Sequence, residues 1–270
     1  MKLAFSTLGC PGWSWREIYA TAKDLGMQGI EIRGIESEIY APNAKPFTPE
    51  NIENTIETLD KLHLSIPMLT SGAYLFDEEK TQQVMDEAKA YVDLAQKLKT
   101  PYIRVLGDKD GAPGPERNLE HVLKMYREIC DYAADKNVTP LIETNGVLAD
   151  TSVMADFIKK ADRPNSGVLW DIHHPFRYYG ESPETTLKNL DGYIKYLHIK
   201  DSVMKDGKVS YRMLGYGDVP VMDCLKQLHK NGFDGFVSLE WVKRWCPDLE
   251  EPGVVFSHYV TYMSYLIRQL

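Results

Sequence analysis

Glu143 in LIETN, Asp171 in LWDIHH, His198 in YLHIKD and Glu240 in VSLEW each close a short β-rich run in the second half of the chain. A lone acid at such a position usually caps a loop, and a lone histidine is usually a satisfied structural residue. Four in succession are harder to explain that way. Brought to one rim, three carboxylates and an imidazole make a hard, oxygen-rich donor set. It suits one divalent ion, Mn2+ first, with Mg2+, Co2+ or Zn2+ as alternatives. Without a cation the three carboxylates would repel one another and their pKa values would rise.

Such a rim needs elements to build it. Strands are expected at 3–7, 29–33, 64–69, 101–107, 138–144, 166–172, 194–200 and 235–241. Helices are expected at 15–25, 49–62, 78–98, 115–135, 151–160, 183–189, 219–230 and over much of 250–270. Thr48 would cap the second helix, with Pro49 at its first position, and Asp218 would cap the seventh. Eight strand–helix units imply parallel strands joined by right-handed crossovers. In 270 residues they match an α/β fold, a single-domain (β/α)8 TIM barrel, whose strand C-termini share one mouth. An open doubly wound sheet usually carries a Gly-rich phosphate turn, but the first strand here runs into STLGCPGWSW, with neither G-x-G-x-x-G nor a P-loop. No linker divides residues 1–270.

Composition narrows the partners. Hydrophobic residues at 43% and charged residues at 26% are ordinary for a globular domain and exclude collagen, coiled coil and disorder. A net charge of −8 argues against nucleic acid, which wants a cationic footprint. No apolar run approaches the ~20 residues that span a bilayer, so no membrane partner is expected. MKLAFSTLGCPGW reads as too short for a signal peptide, and Cys10, Cys130, Cys224 and Cys246 are widely spaced. A cytoplasmic protein with reduced thiols is expected. His63, His121, His229 and His258 lack partners at ligand spacing. Glu31 and Arg104, if both point inward, would form a buried ion pair.

The order LIETN…WDIHH…LHIKD…LGYGDVP…SLEW, with GMQGIEIR at 26–33, resembles the xylose isomerase-like TIM barrels over essentially the whole chain. That superfamily holds ketose 3-epimerases, hydroxypyruvate isomerase, inosose dehydratase and apurinic endonucleases. The resemblance implies that Glu143, Asp171, His198 and Glu240 ligate one metal ion. It implies that Glu143 and Glu240 are also the acid/base pair on opposite sides of the substrate. It places a substrate contact at His174, three residues after Asp171. The family often has a basic residue after the seventh strand, and Arg212 is the nearest match.

The implied activity is a divalent-metal-dependent sugar (ketose) isomerase or epimerase. Its reaction removes a proton next to a carbonyl, and a cation stabilises the enediolate that results. Lys200, like His174, is placed to hold a sugar hydroxyl, and Trp13, Trp15 and Trp241 to stack on the sugar, with Trp245 and Tyr178 behind them. The same proton abstraction followed by loss of a β-hydroxyl would make an inosose dehydratase-type lyase. An apurinic endonuclease would need several more histidines for its zinc cluster. Intact acid/base candidates speak against a non-catalytic binding protein. The expected partner is a small sugar or polyol without phosphate, since no phosphate motif is present. A homo-oligomer is also implied, with Trp245, Cys246 and Tyr178 in loops that a second copy would reach.

Overall fold

The computed structural model describes residues 1–270. Its strands are β1 (Lys2–Ser6), β2 (Gly29–Glu31), β3 (Met68–Tyr74), β4 (Tyr102–Leu106), β5 (Thr139–Glu143), β6 (Gly167–Asp171), β7 (Ile194–Ile199), β8 (Asp201–Lys205), β9 (Lys208–Arg212) and β10 (Phe236–Leu239). Eight of them form one parallel sheet in the order β2-β1-β10-β7-β6-β5-β4-β3. Parallel bridges at Gly29–Ser65 and Ile32–Leu69 bring its two edges together. The result is a single-domain (β/α)8 barrel. β8 and β9 stand apart as an antiparallel hairpin.

Nine α-helices surround the sheet: α1 (Trp15–Asp24), α2 (Ile52–Leu62), α3 (Thr81–Leu98), α4 (Leu119–Ala133), α5 (Thr151–Ala161), α6 (His173–Tyr179), α7 (Pro183–Asn189), α8 (Val221–Lys230) and α9 (Pro252–Ile267). No helix is long and apolar enough to cross a membrane. The main core lies between sheet and helices. A second, smaller cluster joins Met68, Leu141, Leu169 and Tyr196. Leu141, Leu169 and Tyr196 each sit two residues before Glu143, Asp171 and His198, so each pair shares a strand face. This apolar layer is the floor on which the polar mouth rests.

Several boundaries differ from expectation, for physical reasons. The third strand begins at Met68, not Leu64, because Pro67 has no N–H for the ladder. The second helix starts at Ile52, and the Thr48 hydroxyl bonds Lys45 O instead of capping it. Asp218 caps no helix; its carboxylate pairs with Arg177, and α8 starts at Val221. The fourth helix starts at Leu119, where Asn118 accepts the His121 N–H at 3.2 Å.

The hairpin and α6 carry no hydrophobic period in the sequence. Asp201 anchors the hairpin. Its carboxylate accepts N–H bonds from Ser202 (2.8 Å), Gly215 (2.9 Å), Gly217 (2.9 Å) and Val219 (3.2 Å). A side chain at Gly217 would collide with that carboxylate, which accounts for the glycine in LGYGDVP. Asp201→Ala orphans these donors and should cost about 3 kcal/mol. Scanning calorimetry should then show a Tm about 6–12 °C lower; an unchanged Tm would mean water replaces the carboxylate.

Candidate active site

The strand ends bring Glu143, Asp171, His198 and Glu240 together, with one ligand atom of each within 4.8 Å of the others. All four are buried. Register places Asp171 opposite His198 across β6 and β7. Glu240 follows β10 and extends its ladder, its N–H bonding Ile199 O at 3.0 Å.

Hydrogen bonds fix how these side chains face. His198 Nε2 lies 3.0 Å from Glu31 Oε2. With Nε2–H donating there, Nδ1 turns to Glu143 Oε1 at 3.5 Å and Glu240 Oε1 at 3.4 Å, and its lone pair becomes available to a cation when the ring is neutral. Nδ1 is buried without a hydrogen-bond partner. A carboxylate behind an imidazole is the usual way a metal-ligating histidine is oriented. The expected Glu31–Arg104 pair is therefore absent. Arg104 Nη1 instead binds Glu143 Oε2 at 3.0 Å and approaches Glu240 Oε1 at 3.7 Å, and Nη2 donates to Ser71 O at 2.8 Å. Register explains this: Arg104 lies on β4, beside the strand that carries Glu143, whereas Glu31 meets His198 across the barrel interior.

Charge shows what the cluster lacks. Glu31, Glu143, Asp171 and Glu240 are four buried carboxylates; Arg104 and Lys200 are the permanent cations that pair with them. With His198 neutral, these pairings leave two of the four carboxylate charges without a partner, which a divalent ion would supply. Burial alone would keep His198 neutral, but Glu31, then Glu240 and Glu143, outweigh it and raise the imidazole well above its usual pKa. A proton thus fills part of the deficit when no cation does. The oxygen-rich donor set, the orphaned Nδ1 and this deficit all fit a divalent cation. Glu31→Gln keeps the hydrogen-bond shape but loses the charge. It should weaken metal affinity about 10–100-fold, measurable with a competing fluorescent chelator; unchanged affinity would break the Glu31–His198 link.

A cavity of about 420 Å3 opens over this cluster, lined by Glu143, His174, Lys200 and Glu240 among others. His174 Nδ1 lies 2.8 Å from Thr144 O, so it must donate there. Nε2 faces Asp171 Oδ2 at 3.5 Å. Lys200 bridges Asp171 and Glu240 Oε2, the latter at 2.5 Å. His173 points elsewhere, its Nε2 2.8 Å from Ser202 Oγ.

The aromatic and arginine candidates are placed differently from expectation. Trp13 packs edge-on against Phe256 at 5.5 Å. Trp15 starts α1 and meets Tyr19 and Phe47 at 5.7 and 5.8 Å. Trp241 is buried, with its indole N–H on Glu250 O at 3.0 Å. None of the three lines the cavity; Trp245 does. Arg212 turns back onto Ser210 Oγ and Tyr211 O, both at 2.9 Å. Its neighbour Tyr211 reaches the cavity instead, because adjacent strand residues face opposite ways. Arg33, two residues after Glu31, also lines the cavity.

With fold and mouth established, the comparisons agree on the class. The family model for the xylose isomerase-like TIM barrel matches residues 19–255. The chain belongs to that family. It is 22% identical over 253 residues to fructoselysine 3-epimerase of Shigella flexneri, covering 90% of each chain. Among solved structures it is similar to the probable 3-DHS dehydratase AsbF of Bacillus anthracis, with a TM-score of 0.79, 20% identity, and 98% and 99% of the two chains covered. It is also similar to the IOLI protein with a bound zinc atom, with a TM-score of 0.80, 19% identity, and 100% and 99% covered.

Proposed function

We propose that the chain is a divalent-metal-dependent sugar isomerase or epimerase acting on a ketose, with epimerisation the favoured reaction. One observation carries the reading: two buried glutamates, Glu143 and Glu240, approach the unpaired His198 Nδ1 within 3.5 and 3.4 Å, at the base of one cavity. The match to a 3-epimerase over 90% of both chains supports it. Glu143, Asp171, His198 and Glu240 would hold the ion. Bound there, it would supply Lewis-acid charge where negative charge gathers on the substrate; a neighbour with zinc supports a metal, and Mn2+ is our assignment.

The chain's own residues move the proton. Burial opposes ionisation of Glu143, but Arg104 and then His198 outweigh it and hold its carboxyl well below the usual range. Glu240 is lowered too, by Lys200 and His198 against burial, but the charge of Glu143 pushes it back up. Both carboxyls are therefore held in the ionised form. We assign Glu143 as the base that takes the substrate proton, and Glu240, on the opposite face, as the partner that returns a proton drawn from solvent. His174 Nε2 accepts a substrate hydroxyl and orients the carbon between them.

The test is incubation of the metal-loaded protein with ketohexoses in D2O, followed by NMR. The proposal expects epimers that carry deuterium at the inverted carbon. An enone absorbance from a keto-inositol, with no epimer formed, would favour the dehydratase reading instead.

A further inference from the structure

Every buried charge at the mouth has a partner except one. Arg104 is paired with Glu143, and Lys200 with Asp171 and Glu240. Arg33 is only 8% exposed, yet its guanidinium has neither a hydrogen bond nor an ion pair; only its backbone N–H is used, on Thr7 Oγ1. Glu87, the carboxylate nearest its surroundings, gives Oε1 to the Gly72 N–H at 2.7 Å. Tyr74 and Tyr91 complete the neighbourhood. Trp245, 52% exposed, lies over the guanidinium with its ring centroid 5.8 Å away. The arginine opens into the same cavity as Glu143 and Glu240.

A guanidinium this enclosed, with no protein partner and only the water of the cavity to solvate it, is poised to gain from a fixed anion. Burial, and next the like charge of Arg104, work against it. An anion entering the cavity would supply the counter-charge that the protein does not. A single planar fork matches a carboxylate through two parallel N–H bonds. A phosphate would want more cations. The only other unpaired one at the mouth is Lys109, which is exposed and next to Asp110.

We propose that Arg33, roofed by Trp245, receives a carboxylate on the substrate, so that the enzyme prefers a sugar acid to a neutral sugar. The choice of a sugar rests on the proton-transfer reading above; the anion receptor does not. Titration calorimetry on the metal-loaded protein separates the two by comparing D-gluconate with its neutral counterpart D-glucitol. The wild type should prefer gluconate about 10–100-fold, and Arg33→Gln should erase the preference. Trp245→Ala, which keeps the charge, should reduce it several-fold. No preference in the wild type, or a preference that survives Arg33→Gln, overturns the proposal. Tighter binding of glucitol 6-phosphate than of gluconate, dependent on Arg33, overturns the carboxylate assignment.

Kinetics supply the second arm. The ratio of kcat/KM for a ketohexuronate over the matching ketohexose should fall about thirtyfold in Arg33→Gln, mainly through KM, and recover in part in Arg33→Lys. An equal loss on both substrates would mean a structural role and overturn it. If neither substrate turns over while the calorimetric preference stands, the proton-transfer reading fails and the receptor survives.

Discussion

Glu143→Gln should lower kcat for ketose epimerisation about a thousandfold or more, a loss that only Glu240→Gln should match among single isosteric changes. The amide keeps the size of the side chain and an oxygen toward His198, but it cannot accept the substrate proton. It also releases Arg104 from its 3.0 Å partner. Glu240→Gln should cost as much epimerisation but differ in exchange. The base still takes the proton, so the variant should continue to wash solvent deuterium into unreacted substrate, while Glu143→Gln should lose exchange as well. Metal content, measured on both variants, separates lost chemistry from lost ligation. Equal exchange in the two variants would contradict the division of roles.

Stripping the metal should have an effect of similar size. After chelation, activity should fall to background and return with a divalent salt. The apo protein should also be less stable, because buried carboxylates are left short of counter-charge. At a thousandfold excess over Kd, the ion would stabilise the fold by about 4 kcal/mol, or about 8–16 °C in Tm. Binding should strengthen as pH rises. The raised pKa of His198 leaves its imidazole charged at neutral pH, so the ion must displace a proton, and affinity should increase about tenfold per pH unit until His198 is neutral. Affinity independent of pH would mean that Nδ1 is not a ligand.

The strand ends made the four central residues legible. In a parallel barrel the C-terminal rim is shared, so reading the last residue of each apolar run locates Glu143, Asp171, His198 and Glu240 without knowledge of the loops. What lies beyond the strands was not legible. The β8–β9 hairpin has no apolar period, and without it Arg212 looked like a mouth residue when it faces Ser210. Trp13 and Trp15 are near the first strand in sequence, but the helix that follows carries Trp15 onto Phe47. Pairing inside the barrel depends on register. That is why Arg104 meets Glu143, and why Arg33, left without a partner, could not be recognised from spacing alone.

Anomalous diffraction from a crystal soaked in MnCl2 tests the metal centre most directly. One peak bonded to Glu143, Asp171, His198 Nδ1 and Glu240 is expected, with Glu31 still on His198 Nε2. A protein that turns over ketoses while this position holds no peak, or whose Mn2+ sits on other residues, would contradict the account.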